Sequence, residues 1–219
     1  MWVASLQNRL HGKMQTELMP PQIILASASP RRSELLNQIG IRHLIRAVDI
    51  DETPWPHESP LAYVERVATE KAVACRTLIT DDLPVLAADT SVVCDGQIMG
   101  KPTDLQHAIA MLSQLSGRTH QVYSAISLRG DQHWQAVSVS EVKFRTLSHE
   151  EIVAYWHTGE PADKAGAYAI QGLASVFIES ITGSFSGVMG LPLFETAQLL
   201  AKQGISAITP GIALPPISI

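Results

Sequence analysis

The sequence predicts an α/β protein in which a mixed sheet is flanked by helices. Strand-like and helix-like segments alternate in the first half of the chain, beginning with the apolar run Ile23–Ala26. In the middle, extended segments at 121–128 and 133–144 are joined at Gly130–Asp131, which is typical of a hairpin. Alternation favours parallel strands and a hairpin requires antiparallel ones, so the sheet is predicted to contain both.

Two helices in the first half are each marked by a serine followed by a proline. At Ser29–Pro30 the serine can cap the helix, and the proline occupies the first turn, where its missing N–H costs nothing. The first strand therefore leads directly into a helix N-terminus. Ser59–Pro60 opens a second helix that runs to about Arg76, and its predicted apolar face consists of Leu61, Val64, Val67 and Ala68.

The remaining elements are indicated by turn and capping residues. An apolar run at 84–88 is typical of a buried strand, and it delivers Asp89 and Thr90 at its end. Asp95–Gly96 is typical of a tight hairpin turn. Further elements are a helix capped at Thr103–Asp104 that runs to about Leu115, a helix with a capping box of Ser148 and Glu151 that ends at Gly159, a strand at 175–181 and a last helix at 193–202.

The chain is predicted to form one domain at 22–208. Its 219 residues, of which 46% are hydrophobic and 17% charged, are enough for one substantial core but leave little room for a second. Residues 1–21 are predicted as a flexible N-terminal extension. Residues 209–219, which contain three prolines, are predicted as an irregular tail.

Composition and charge argue against several classes of protein. The formal net charge of −5 disfavours a nucleic-acid-binding surface, since neutralising backbone phosphates takes a clustered excess of Lys and Arg. The sequence has no run of about 18 apolar residues and no signal-peptide core, which disfavours a membrane partner and export. Cys75 and Cys94 form no C-x-x-C pair, so a reducing compartment is expected. We therefore expect a cytoplasmic protein.

The run Leu25–Arg32 carries the clearest local signal for anion binding. Backbone N–H groups at a helix start attract anions, and Arg31 and Arg32 add fixed positive charge with several donors. A phosphate group fits such a site. The same residues also fit an ordinary capped helix with solvated arginines, and adjacent helical side chains point about 100° apart.

Four other charged residues lie where chemistry is possible. Asp89 follows a predicted strand, and ligands gather at strand ends in α/β sheets. Glu52 belongs to an acidic segment, Lys71 lies on the second predicted helix, and Lys101 is fixed between a glycine and a proline. Each residue also has a plain structural interpretation, as a turn aspartate, a solvated acidic loop or a surface lysine.

Several common catalytic motifs are missing from the sequence. The eight histidines show neither H-x-x-x-H nor H-E-x-x-H spacing, which disfavours a zinc site. The segment Gly183–Gly187 matches neither a Walker A loop nor the dinucleotide fingerprint, and no G-x-S-x-G motif for an acyl-transfer serine occurs. The usual kinase, dehydrogenase and esterase readings are therefore disfavoured.

One ordered set of short segments runs along most of the chain, namely Leu25–Arg32, Glu52, Lys71–Ala72, Ala88–Thr90, Gly100–Pro102, Gly117–His120, Asp163–Gly172, Gly190–Leu193 and Glu195–Thr196. In combination and in this order, these segments resemble the motifs of the Maf proteins. The resemblance extends from about Ile23 to Gly204. Two departures are an alanine at Ala169, where glycine is usual, and the lack of a common asparagine near Gly187.

The resemblance implies a nucleotide-pool enzyme with an inosine-triphosphatase-like fold, a cleft between two lobes and a divalent cation, Mg²⁺ or Mn²⁺. The segment that ends in Gln171–Gly172 is similar to the branch that hydrolyses dTTP and UTP to the monophosphate and pyrophosphate. A link to septum formation and a homodimer are further expectations. The implied roles are catalysis by Asp89, metal binding by Glu52 and Asp89, and substrate binding by Ser27, Arg31, Arg32, Lys71, Thr90, Lys101 and Gln171.

Two other functions fit the same sequence. The first is a nucleotide-binding regulator of cell division without turnover, against which the presence of Asp89, Glu52 and both lysines argues. The second is a pyrophosphatase for modified purine nucleotides. A panel of triphosphates, assayed for product, separates the three.

Overall fold

A computed structural model describes residues 20–207, which are built around a seven-stranded sheet. The predicted tail at 209–219, and all of the predicted extension except Pro20 and Pro21, lie outside the described residues. The strands are β1 Ile23–Leu25, β2 His43–Ile45, β3 Val85–Cys94, β4 Gln97–Met99, β5 Thr119–Arg129, β6 His133–Phe144 and β7 Ile178–Thr182.

The sheet is mixed, which confirms the predicted fold class. Its order is β2-β1-β3-β5-β6-β7, with β4 attached to β3. Strand β1 runs parallel to both β2 and β3, while the pairs β3–β4, β3–β5, β5–β6 and β6–β7 are antiparallel. The predicted central hairpin is the β5–β6 pair.

Within residues 20–207, six α-helices flank the sheet, and most of their predicted starts are confirmed. The Asp104 side chain accepts a hydrogen bond from the His107 amide, and Ser148 and Glu151 form the predicted capping box. Among the described residues, none of the helices has the length and apolar character that crossing a bilayer requires. The helices are α1 Pro30–Gln38, α2 Pro60–Thr77, α3 Leu105–Leu115, α4 His149–His157, α5 Phe185–Met189 and α6 Leu193–Lys202.

Strand β3 is longer than predicted and places Asp89 in its interior. The apolar run stops at Ala88, but the strand continues to Cys94 because β5 pairs with it all the way from Val85 to Val93. On the opposite edge, β1 pairs with β3 only as far as Leu86, and β4 begins its pairing at Val92. In the described part of the chain, residues 87–91 therefore pair with no strand on this edge.

Helix α2 packs against β3 and β5 through one apolar face. Val64, Val67 and Ala68 are buried as predicted, and Lys71 is buried on the same side. The prediction for Leu61 is wrong, since this side chain is 42% exposed in the first turn of the helix. The apolar periodicity placed Leu61 on the buried face, but it could not show that the first turn of the helix extends beyond the core.

The predicted strand at 175–181 is wrong at its start. Residues Leu173–Phe177 form a 3₁₀ helix, and only Ile178–Thr182 pair with β6. The turn is favoured because the Glu160 carboxylate accepts hydrogen bonds from two consecutive amides, those of Leu173 and Ala174. Two more 3₁₀ segments, Glu160–Asp163 and Ala165–Ala167, precede it.

Candidate active site

A cavity of about 400 Å³ lies where β1 ends beside the middle of β3. The loop after β1, the start of α1 and the segment at 163–171 form much of its wall. The structure brings together at this cavity every residue to which the resemblance assigns a site role, namely Ser27, Arg31, Arg32, Glu52, Lys71, Asp89, Thr90, Lys101 and Gln171.

Two carboxylates meet at one buried lysine in the wall of this cavity. The Lys71 Nζ atom lies 2.9 Å from Asp89 Oδ1 and 2.9 Å from Glu52 Oε1. Lys71 and Asp89 are only 8% and 5% exposed, whereas Glu52 is exposed. A charged lysine is rarely buried without partners, so the two acidic groups explain why this helix lysine faces inward.

The loop between β1 and α1 leaves an anion-binding helix start facing the cavity. Ser29 has the N-cap position, but its side chain accepts no hydrogen bond from the amides of α1. Its own amide instead donates to Ser27 Oγ at 3.1 Å. The uncapped first turn, which lines the cavity through Pro30 and Arg31, therefore has amides free to bind a phosphate.

Arg32 is fixed between this loop and the chain that precedes α6. Its Nε donates to the Gly190 carbonyl at 2.8 Å, and one terminal nitrogen donates to Ser27 Oγ at 3.2 Å. Burial lowers the pKa of Arg32, while the negative charge of Asp89 opposes that shift. The guanidinium is thus positioned before any ligand binds.

Thr90 belongs to a short chain of hydroxyl groups behind the cavity. Ser124 Oγ donates to the Gly187 carbonyl at 2.6 Å, so it accepts the hydrogen bond from Thr90 Oγ1 at 2.8 Å. The hydroxyl of Thr90 is therefore held with its lone pairs available to a ligand donor.

Lys101 and Gln171 lie at the exposed rim of the cavity. The Gln171 side chain is exposed on the segment between two 3₁₀ helices and is not buried behind the cavity wall. Its amide can still offer a donor and an acceptor to a ligand at the rim.

Lys164 is a cavity residue that was not assigned a site role from sequence. Its side chain is 14% exposed and forms an ion pair with Asp163, and both residues line the cavity. The signal was present, because both residues belong to the Asp163–Gly172 segment that carries part of the family resemblance. Lys164 therefore adds one more cation to the wall of the cavity.

A divalent cation fits the oxygen donors of this site. Among residues 20–207, no group of three or more His, Cys, Asp and Glu side chains is arranged to hold a metal ion. Glu52 and Asp89 nevertheless approach each other closely, since both contact Lys71 Nζ. Mg²⁺ is commonly held by one or two carboxylates together with water and substrate phosphates, and Mn²⁺ also prefers oxygen ligands.

A buried aromatic cluster supports the cavity from behind. His120 Nε2 is hydrogen-bonded to the Tyr168 hydroxyl at 2.8 Å, and both rings pack edge-on against Phe144. Burial lowers the pKa of His120 to about 4 and raises the pKa of Tyr168. Tyr168 lines the cavity, so this cluster links the floor of the site to the core.

Comparison with known proteins places the chain in a family. The model of the family described as Maf-like protein matches residues 22–203. A protein from Methylococcus capsulatus named dTTP/UTP pyrophosphatase is 57% identical over 185 residues, which cover 84% of this chain and 92% of that protein. A protein of the same name from Nitrosomonas europaea is 54% identical over 197 residues, covering 84% of this chain and 95% of its own length.

Among solved structures, the Ham1 protein of Staphylococcus aureus is similar over 56% of this chain and 71% of its own, with 16% identity and a TM-score of 0.42. The family model covers nearly all of the described residues, and the two relatives share more than half of the aligned positions. The chain therefore belongs to the Maf family.

Proposed function

We propose that this protein is a nucleoside triphosphate pyrophosphatase that hydrolyses dTTP and UTP to the nucleoside monophosphate and pyrophosphate. The observation that carries the proposal is the buried Asp89–Lys71 pair, which opens onto a cavity rich in arginine and lysine. The names of the two Maf relatives support the same reaction and the same substrates.

The cations of the cavity would neutralise the triphosphate. Arg31, Arg32, Lys101 and Lys164 line the cavity together with the uncapped start of α1. Attack on the α-phosphorus becomes feasible only when the negative charge of the phosphate oxygens is compensated and the nucleophile is aligned. Arg32 is suited to this role because its hydrogen bonds to Ser27 and Gly190 fix its position in advance.

Asp89 is the residue that we propose as general base. Its Oδ1 is held by Lys71, which leaves Oδ2 to accept a proton from the attacking water. The water oxygen bonds to the α-phosphorus, the bond from that phosphorus to the bridging oxygen breaks, and pyrophosphate leaves with the bonding electrons. Lys71 maintains the orientation of Asp89 during this step.

Glu52 and Asp89 are the residues that would hold a divalent cation. When bound, Mg²⁺ or Mn²⁺ would supply positive charge to the phosphates and lower the pKa of a bound water. Glu52 is exposed and contacts Lys71 Nζ through Oε1, so its carboxylate can turn towards an ion that arrives with the substrate.

Gln171, Thr90 and Arg31 are proposed to select the nucleotide. The exposed amide of Gln171 at the cavity rim can pair with the donor and acceptor on one edge of a pyrimidine. A site that satisfies such polar groups discriminates against a base that leaves them unpaired.

The test is a panel of triphosphates assayed with Mg²⁺ and with Mn²⁺. Phosphate release is measured with and without added inorganic pyrophosphatase, and the nucleotide product is identified by chromatography. We expect UMP and dTMP, with phosphate detected only when pyrophosphatase is added. Nucleotide binding without turnover would support a nucleotide-binding regulator. A preference for modified purine triphosphates would support a pyrophosphatase for modified purine nucleotides.

The cytoplasm is the proposed compartment, since Cys75 and Cys94 are both buried free thiols. A homodimer stays a prediction, which light scattering on the purified chain tests directly.

A further inference from the structure

The segment that carries Gln171 is held by two side chains from outside the cavity. We call residues 168–174 the Gln171 loop. The Tyr155 hydroxyl accepts a hydrogen bond from the Ala169 amide at 3.2 Å and donates one to Glu160 Oε1 at 2.7 Å. Glu160 in turn accepts from the amides of Leu173 and Ala174 at 3.0 and 3.3 Å. The loop is thus fixed at both ends by one hydrogen-bonded pair.

Neither member of this pair belongs to the cavity wall. Tyr155 is 4% exposed, and its ring packs edge-on against Phe177, with 5.2 Å between ring centroids. A buried phenol needs partners for its hydroxyl, and here both partners serve the Gln171 loop. The pair is therefore part of the core on one side and of the loop on the other.

Gly172 shows how closely the loop approaches this pair. A Cβ atom at this position would lie 2.2 Å from Glu160 Oε2, which is far inside van der Waals contact. The φ of Gly172 is −106°, a value that other residues adopt readily. The missing Cβ of Gly172 thus leaves room for the carboxylate in this position, and the backbone conformation itself does not call for glycine.

We infer that Tyr155 and Glu160 are positioning residues that orient Gln171 and so set the preference for a pyrimidine nucleotide. The inference rests on the proposed function and extends it to two residues that touch no substrate. Ala169 and Leu173 each lie two positions from Gln171, on opposite sides. Because the Gln171 side chain is exposed, the direction of its amide depends on the backbone that these two anchors fix.

Tyr155→Phe is the main test, because it keeps the ring and removes only the hydroxyl. We expect the ratio of kcat/KM for UTP to kcat/KM for GTP to fall about tenfold, as the loss of two hydrogen bonds allows. The change should appear mainly as a higher KM for UTP, since Asp89 and Lys71 are untouched. Hydrogen exchange at the Ala169 amide should become faster in the same protein.

Two further variants keep the test independent of the phenol. Gly172→Ala forces the Glu160 carboxylate away from the loop and should reproduce the loss of selectivity. Glu160→Gln keeps the shape but replaces one acceptor by a donor that faces a backbone amide, so exchange should rise at Leu173 or Ala174. The matched control is Tyr123→Phe, which removes a hydroxyl bonded to the part-buried Gln121 and should leave the ratio unchanged.

The outcomes separate this inference from the proposed function. A wild-type enzyme without preference for UTP over GTP would refute the pyrimidine assignment itself. If Gln171→Ala lowers the ratio while Tyr155→Phe and Gly172→Ala leave it within twofold of wild type, the function stands and the inference is wrong. Loss of the ratio in all three variants, with faster exchange in the loop, supports both.

Discussion

Replacing Lys71 by methionine should damage both stability and activity, whereas the same change at Lys101 should damage activity alone. Both lysines line the cavity, but Lys71 is buried against Asp89 and Lys101 is exposed. Methionine approximates the length of lysine and removes the charge. Both variants lose one positive charge, but only Lys71→Met leaves a buried carboxylate, that of Asp89, without its partner.

The magnitude follows from the burial of the partner. The Lys71 and Asp89 side chains are 11% and 8% exposed, so Lys71→Met leaves a largely buried carboxylate without its hydrogen-bonded counterion. Breaking a buried pair in this way costs about 3–5 kcal/mol. Glu52 is half exposed and contributes little. For a chain of this size the loss corresponds to a Tm lower by roughly 10 °C, whereas Lys101→Met should stay within about 0.5 kcal/mol.

The assay combines thermal unfolding, urea unfolding and UTP hydrolysis in one buffer. Adding Asp89→Asn to Lys71→Met removes the stranded charge, so the double variant should recover part of the lost stability. Both single lysine variants should lose kcat/KM, and added salt should not restore it. The expected decrease in Tm is roughly 10 °C, so a Lys71→Met protein whose Tm lies within about 2 °C of the wild-type value would show that the pair contributes no stability.

Three other variants test the site and its surroundings. Asp89→Asn should lower kcat by at least about a hundredfold while the protein stays folded, because the amide keeps the shape but accepts no proton; circular dichroism and turnover of dTTP check this, and near-normal turnover would remove Asp89 as the base. Gln171→Ala should lower the ratio of kcat/KM for UTP to kcat/KM for GTP, and it should change the two kcat values less than it changes this ratio. An equal decrease of both activities would instead indicate that Gln171 contacts the triphosphate. The folded pKa of His120, about 4, lies below its ordinary value of 6.5, so the unfolded chain binds a proton first and stability falls as the pH drops from 6.5 towards 4. Over that window the free energy of unfolding should change by about 3 kcal/mol. In His120→Gln, whose amide can still form a hydrogen bond with Tyr168, the urea midpoint should depend less on pH than in wild type; the same pH dependence in both proteins would contradict the burial effect.

Local signals were sufficient to predict most elements of this fold. The last helix, Leu193–Lys202, has the predicted bounds, and the capping box at Ser148 and the turn at Asp95–Gly96 lie where turn chemistry indicated. Such features are decided by residues three or four positions apart. The interior position of Asp89 could not be read in this way, because strand β3 is extended by its pairing with β5, some 35 residues further along the chain.

The residues that line this cavity were singled out by the order of motifs and not by any single residue. Nothing in the local sequence distinguishes Lys71 from a surface lysine on a helix. Only the fold reveals that it pairs with Glu52 from a loop and with Asp89 from a strand. The exposure of Gln171 is likewise visible only in the folded chain. Tyr155 and Glu160 carried no catalytic signal, since a tyrosine on an amphipathic helix usually belongs to the core.

The two halves of this site differ in how much change they can absorb over evolution. Asp89 and Thr90 belong to strand β3, which pairs continuously with β5 from Val85 to Val93, so their backbone has little freedom to move. Gln171 stands on a short irregular segment whose insertion or substitution would leave that ladder intact. With the roles proposed above, we therefore expect that remodelling residues 168–174 changes the preferred nucleobase, while the chemistry at Asp89 is retained.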